Sequence, residues 1–150
     1  MKIKLGAIIL LCIFILTGCF YQEYEPYEFR QDFDQIVKIE IVQKEYDSIL
    51  PDTPTFVVKV LDESEHQTMI DAILSTKGFR KTWEPNTGLG MHIIKIYYQN
   101  GEVELLGMYN NGYISPDGEI HEDNYAFNKE EFLSLLSEWL GEEITEYTKG

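Results

Sequence analysis

The chain has 150 residues, enough for one domain with a single core, and its 44% hydrophobic and 13% aromatic content argue against wholesale disorder. Its 12 basic and 26 acidic residues give a formal net charge of −14. Such a surface repels phosphate backbones, so nucleic acid is excluded as an expected partner.

Lys2 and Lys4 are the only charged residues before position 19, and they precede the charge-free apolar run LGAIILLCIFIL (5–16), which ends in Thr-Gly-Cys. Twelve helical residues reach about 18 Å, short of the roughly 30 Å hydrocarbon core, so the run fits an export signal better than a stable span. Leu16-Thr17-Gly18-Cys19 resembles the lipobox of bacterial lipoproteins, in which small residues precede a cysteine that is diacylated and becomes the mature N-terminus. The resemblance covers the leader alone. It implies that residues 1–18 leave as a signal peptide and that Cys19 carries a thioether-linked lipid. The mature chain would then sit on the cell membrane, facing outside the cytoplasm. Two acyl chains anchor stably where one binds only marginally. The same residues also fit an uncleaved anchor, or an ordinary secreted chain with an incidental cysteine. Loss of the leader removes Cys12 and both early lysines, leaving ten basic residues against 26 acidic ones, a charge of −16. No intrachain disulfide, thiolate nucleophile or cysteine metal site then remains.

Residues 19–35, the lipidated N-terminus followed by FYQEYEPYEFRQDFDQ, mix acids with Phe20, Tyr21, Tyr24, Tyr27, Phe29 and Phe33 and show no clean period. They read as a tether whose distal half packs on the domain, because so many aromatics do not suit a solvated linker. Residues 36–141 read as one domain. IVKIEIV (36–42) alternates as a half-buried strand with Val37, Ile39 and Ile41 on one face. TFVVKVL (55–61) is apolar on both faces except at Lys59, which predicts a central strand. Asp62 with Glu65 forms a capping-box pattern for a helix over 62–78, with Met69, Ile70, Ile73 and Leu74 as its stripe and Gly78 as a left-handed stop. FRKTW (79–83) alternates into a short strand.

MHIIKIYY (91–98) and EVELLGMY (102–109) flank Asn100-Gly101, the pair that a two-residue type I′ hairpin turn prefers. That turn pairs Tyr98 with Val103, Ile96 with Leu105, Ile94 with Gly107 and His92 with Tyr109. A second turn is expected at Asn111-Gly112 and a third at SPDGE (115–119), with Ile120 opening a short final strand. Asn128 and Glu131 cap a last helix over 128–141, whose Phe132, Leu135, Leu136 and Trp139 face inward. Residues 142–150 form a tail. The order ββαβββ(β)α with sequential hairpins predicts an α+β two-layer sandwich, a mainly antiparallel sheet with two amphipathic helices on one face.

Chemistry is sparse. His66 lies along the edge of its helix's apolar stripe, which suits a boundary residue. His92 and His121 are the metal-ligand candidates, but each is isolated from a second histidine at ligand spacing. DGEIHED (117–123) lacks the alternating ligands of an EF-hand loop. No nucleophile elbow, phosphate loop or dinucleotide fingerprint occurs, and no cofactor or catalytic residue is assigned. Lys77, Arg80 and Lys81 place three basic residues within five positions, followed by Trp83. That group reads either as a partner-binding surface with an aromatic anchor, or as solvated helix-end charges beside a core tryptophan. The expectation is a non-catalytic accessory or inhibitory domain that binds a protein at the cell envelope. A small-ligand or metal sensor using His92 or His121, and an unrecognised hydrolase, are the alternatives.

Overall fold

The computed structural model describes residues 23–45, 54–80 and 90–145. They form an α+β fold of two layers. The elements in order are β1 (Ile36–Lys44), β2 (Thr55–Val60), α1 (His66–Ser75), β3 (Gly78–Arg80), β4 (His92–Tyr98), β5 (Val103–Gly107), β6 (Asn111–Ile114), β7 (Ile120–Asp123), β8 (Tyr125–Phe127) and α2 (Lys129–Leu140). Six strands make an antiparallel sheet in the order β2-β1-β4-β5-β6-β7, and β3 pairs with β8 in a second, two-stranded sheet. Ile39 and Ile41 of β1, Ile94 and Ile96 of β4 and Leu106 of β5 share one core cluster with Met69, Ile70 and Ile73 of α1 and Phe132, Leu135 and Leu136 of α2. Each such side chain contributes about 1.5–3 kcal/mol by leaving water. Val42, Ile93 and Leu105 form a smaller cluster on the opposite face.

The helix ends follow from local chemistry. Asp62 and Glu65 form the expected capping box, with the Asp62 amide donating to Glu65 Oε2 at 2.8 Å, and it nucleates a 3₁₀ turn (Glu63–Glu65) that runs into α1. The Glu131 amide donates to Asn128 Oδ1 at 3.1 Å, and Gly141, at φ 71°, stops α2. Glu131 does not complete a box of its own. Its carboxylate instead accepts from the Lys77 amide at 2.7 Å and tethers the start of α2 to the end of α1.

Several sequence expectations are corrected. β2 is an edge strand, paired to β1 alone; β4 takes the other side of β1, so β1 is the interior strand. The hairpin β4–β5 pairs Ile96 with Glu104, Lys95 with Leu105 and Ile94 with Leu106, one residue away from the predicted register. Gly101 (φ 86°) closes a three-residue loop, Gln99–Gly101, in which its amide donates to the Tyr98 carbonyl at 3.0 Å. Loops of this length also favour glycine at their left-handed position. The β4–β5 pairing ends at Ile93–Gly107, so His92 has no Tyr109 partner there, and on its other side it lies opposite Gln43 of β1. Asn111 and Gly112 lie inside β6 rather than in a turn. Gly112 is needed there because a Cβ would stand 2.5 Å from the His121 carbonyl oxygen. α1 ends at Ser75, and Gly78 belongs to β3, without positive φ. Val37 is exposed because it is the extra residue between the Ile36–Tyr98 and Lys38–Tyr97 pairs.

Candidate functional site

Residues 23–35, before β1, form a strap across the domain. Its Glu25 amide donates to the Gly78 carbonyl at 2.9 Å, adding a bridge to the outer edge of β3. Tyr125 stands over Gly78 so closely that a Cβ there would meet its Oη at 2.1 Å, and that hydroxyl donates to the Glu25 carbonyl at 2.9 Å. Gly78 is therefore required by close approach. Tyr27 inserts into the core, edge-on to Phe29 and Tyr125 with ring centroids 5.2 and 5.0 Å away.

Beneath the strap lies a buried carboxylate. Glu104 is fully buried and accepts hydrogen bonds from the hydroxyls of Tyr27 and Tyr98. Burial pushes its carboxyl up to about 6, against the opposing pull of the two hydroxyls and of Arg30. Burial likewise raises Tyr27 and Tyr98, helped by the adjacent carboxylate. Arg30 pairs with Glu102 and lies 3.3 Å above the Tyr113 ring, which stacks on His121 at 4.6 Å. Burial acts to raise Glu102, but Arg30 and Gln31 outweigh it and hold the carboxyl below its ordinary range. Glu104, Tyr27 and Arg30 carry no motif. The one-residue change of hairpin register is what turns Glu104 to the helix side of the sheet.

The basic cluster is split by the structure. Lys77 pairs with Glu131 at 3.2 Å and lies 5.9 Å from the Tyr24 ring centroid. Arg80 is ringed by Glu25, Glu28 and Asp123 at 3.2, 3.6 and 3.8 Å. Both cations thus tie parts of this chain together, Arg80 joining the strap to β7. Lys81, Trp83 and Cys19 lie outside the described residues.

The histidines are apart from one another in role. His92 is buried at the start of β4, beside Leu133 and Leu136 of α2, and burial pulls its ring below the ordinary value while Glu142 opposes the shift. His121 faces Tyr113, with Nε2 3.3 Å from Ser115 Oγ. His66 opens α1, half-buried. Among the described residues, no group of three or more His, Cys, Asp or Glu side chains is gathered for a metal ion. No helix there is long and apolar enough to cross a membrane.

Among the described residues, the least covered apolar surface is β2. Phe56, Val57 and Val60 are each about half exposed, and Val58 is 39% exposed. Lys59, the strand's one charge, turns back to the Trp139 carbonyl at 3.3 Å and to Glu65 at 3.5 Å. The outer edge of β2 has no strand partner among the described residues. Val58 is an extra residue between the Lys59–Ile41 and Val57–Val42 pairs, so a bulge divides that edge into two short runs. No family model matches the chain, and neither a curated protein nor a solved structure matches it.

Proposed function

We propose that this chain is a lipid-anchored extracytoplasmic domain that binds a protein partner and carries out no chemistry of its own. The observation that carries the reading is β2, where four apolar side chains are exposed on a strand whose outer edge has no partner among the described residues, in a chain of net charge −14. An open edge offers backbone donors and acceptors to an added strand, and the side chains on either face supply the pockets that select it. The bulge at Val58 limits continuous pairing between identical edges, which favours a distinct partner with an extended segment over self-association. The leader's resemblance to a lipobox supports anchoring through Cys19, and anchoring raises the effective concentration of the domain for an envelope partner.

The test is cross-linking in cells that make the full chain, followed by isolation from membranes. Wild type, Phe56→Lys and Val58→Asp would be compared, with Cys19→Ala as the unanchored control. The expected result is one reproducible partner lost from both edge variants while their melting temperatures stay unchanged. Retention of that partner by both folded variants would refute the edge as the binding surface.

A further inference from the structure

The strap begins too near Cys19 for the domain to move freely about its anchor. Only four residue steps separate Cys19 from Glu23, the first described residue, a reach of at most about 14 Å. From Tyr24 onward the strap is fixed to one end of the helix layer. Lys77 lies over Tyr24 and pairs with Glu131 in the first turn of α2, while Glu25 is bonded to Gly78. β2 sits at the other end of that layer. Its Lys59 reaches Trp139 in the last turn of α2 and Glu65 just before α1. The 12 residues of α2 put about 18 Å between those two ends. Across the sheet, β2 and the Asp123-bearing β7 that Arg80 ties to the strap are the two opposite edges, five strand spacings or about 24 Å apart.

We infer that the bilayer surface occupies the end of the domain formed by Tyr24, Lys77 and the first turn of α2, and that β2 is thereby held on the far side, open to a partner approaching through the aqueous phase. This orientation rests on the lipid anchoring proposed above and adds to it a fixed direction. Charge does not produce it. Glu23, Glu25, Glu28 and Glu130 are all exposed at the anchored end and would stand off anionic headgroups. Tyr24, 52% exposed, suits the headgroup region as an aromatic with a polar tip. The short reach supplies the constraint.

Two single-cysteine variants of the full lipidated chain test the inference, Glu130→Cys at the first turn of α2 and Glu142→Cys beyond its last, both at exposed positions. The Cys19 sulfur, as a thioether, does not take the dye. In phosphatidylcholine vesicles carrying headgroup-labelled acceptor lipid, energy transfer from position 130 should exceed that from position 142 several-fold. A 12-residue Gly-Ser insertion after Cys19, with a mean span of about 20 Å, should abolish the difference. Equal transfer from the two positions in the native-length chain overturns the orientation, and a difference undiminished by the insertion overturns the short reach as its cause. If the wild-type chain fails to float with the vesicles, or floats no better than Cys19→Ala, the anchoring itself has failed and the orientation falls with it. Flotation without asymmetry refutes the orientation alone.

Discussion

Replacing Glu104 by glutamine should remove a pH dependence of stability that lies just below neutrality. The folded carboxyl titrates at about 6, above the ordinary 4.5, because burial disfavours its charge. The unfolded chain therefore releases this proton first. The stability the group contributes is complete below pH 4.5 and is lost as the pH rises through 6. The gap between the two values corresponds to about 2 kcal/mol. Glutamine keeps the shape and one acceptor oxygen for the tyrosine hydroxyls but carries no charge to desolvate. Urea unfolding of both proteins between pH 4.5 and 8 measures the difference directly. His92 pulls the other way, since its contribution is present above the unfolded value and is lost as the pH falls through the lowered folded one. It is common to both proteins and cancels in the subtraction. The wild-type minus variant stability should fall by about 2 kcal/mol across the range. A difference constant to within about 0.5 kcal/mol would refute the claim that an ionised Glu104 is held at a cost under the strap.

Tyr27→Phe removes a hydroxyl that donates to the Glu104 carboxylate, so the Glu104 side chain should titrate higher still by NMR, and the variant should lose more stability at pH 8 than at pH 5. Gly78→Ala drives a methyl against Tyr125 Oη and should cost about 1–3 kcal/mol, read as a lower urea midpoint. Asn128→Ala leaves the Glu131 amide without its cap and should cost about 1 kcal/mol in the same assay.

The helices were legible because their signals are local. Asp62 with Glu65, Asn128 with the Glu131 amide, and Gly141 at the far end each act within one turn, and the apolar spacing of Phe132, Leu135 and Leu136 needs only the helical period. The turn at 115–119 was legible for the same reason, with Gly118 at φ 90° and its amide donating to the Ser115 carbonyl at 2.8 Å. The hairpin register was not. Asn100-Gly101 suits both a two-residue turn and the observed three-residue loop, and the apolar pattern of 93–98 accommodates either pairing. The shorter loop would place Leu105 where Glu104 stands, opposite Ile96, and so turn the buried carboxylate outward. The place of β2 in the sheet was equally hidden, because an apolar strand reads alike at an edge and in the middle. Of the candidate site, the strap's excess of aromatics was visible, but the pairing of Tyr27 and Arg30 with carboxylates some seventy residues away was not.

Tyr27 has a bearing on how the domain could ever be shed. A protease that cuts a loose stalk releases an intact module, and the stump is discarded. Here the strap supplies a core side chain, Tyr27, and the bridge to β3 at Glu25, so a nick beyond Tyr27 removes part of the fold. Cleavage between Glu25 and Arg30 needs the strap peeled away first, and the released fragment would lack the hydroxyl that Glu104 accepts from Tyr27.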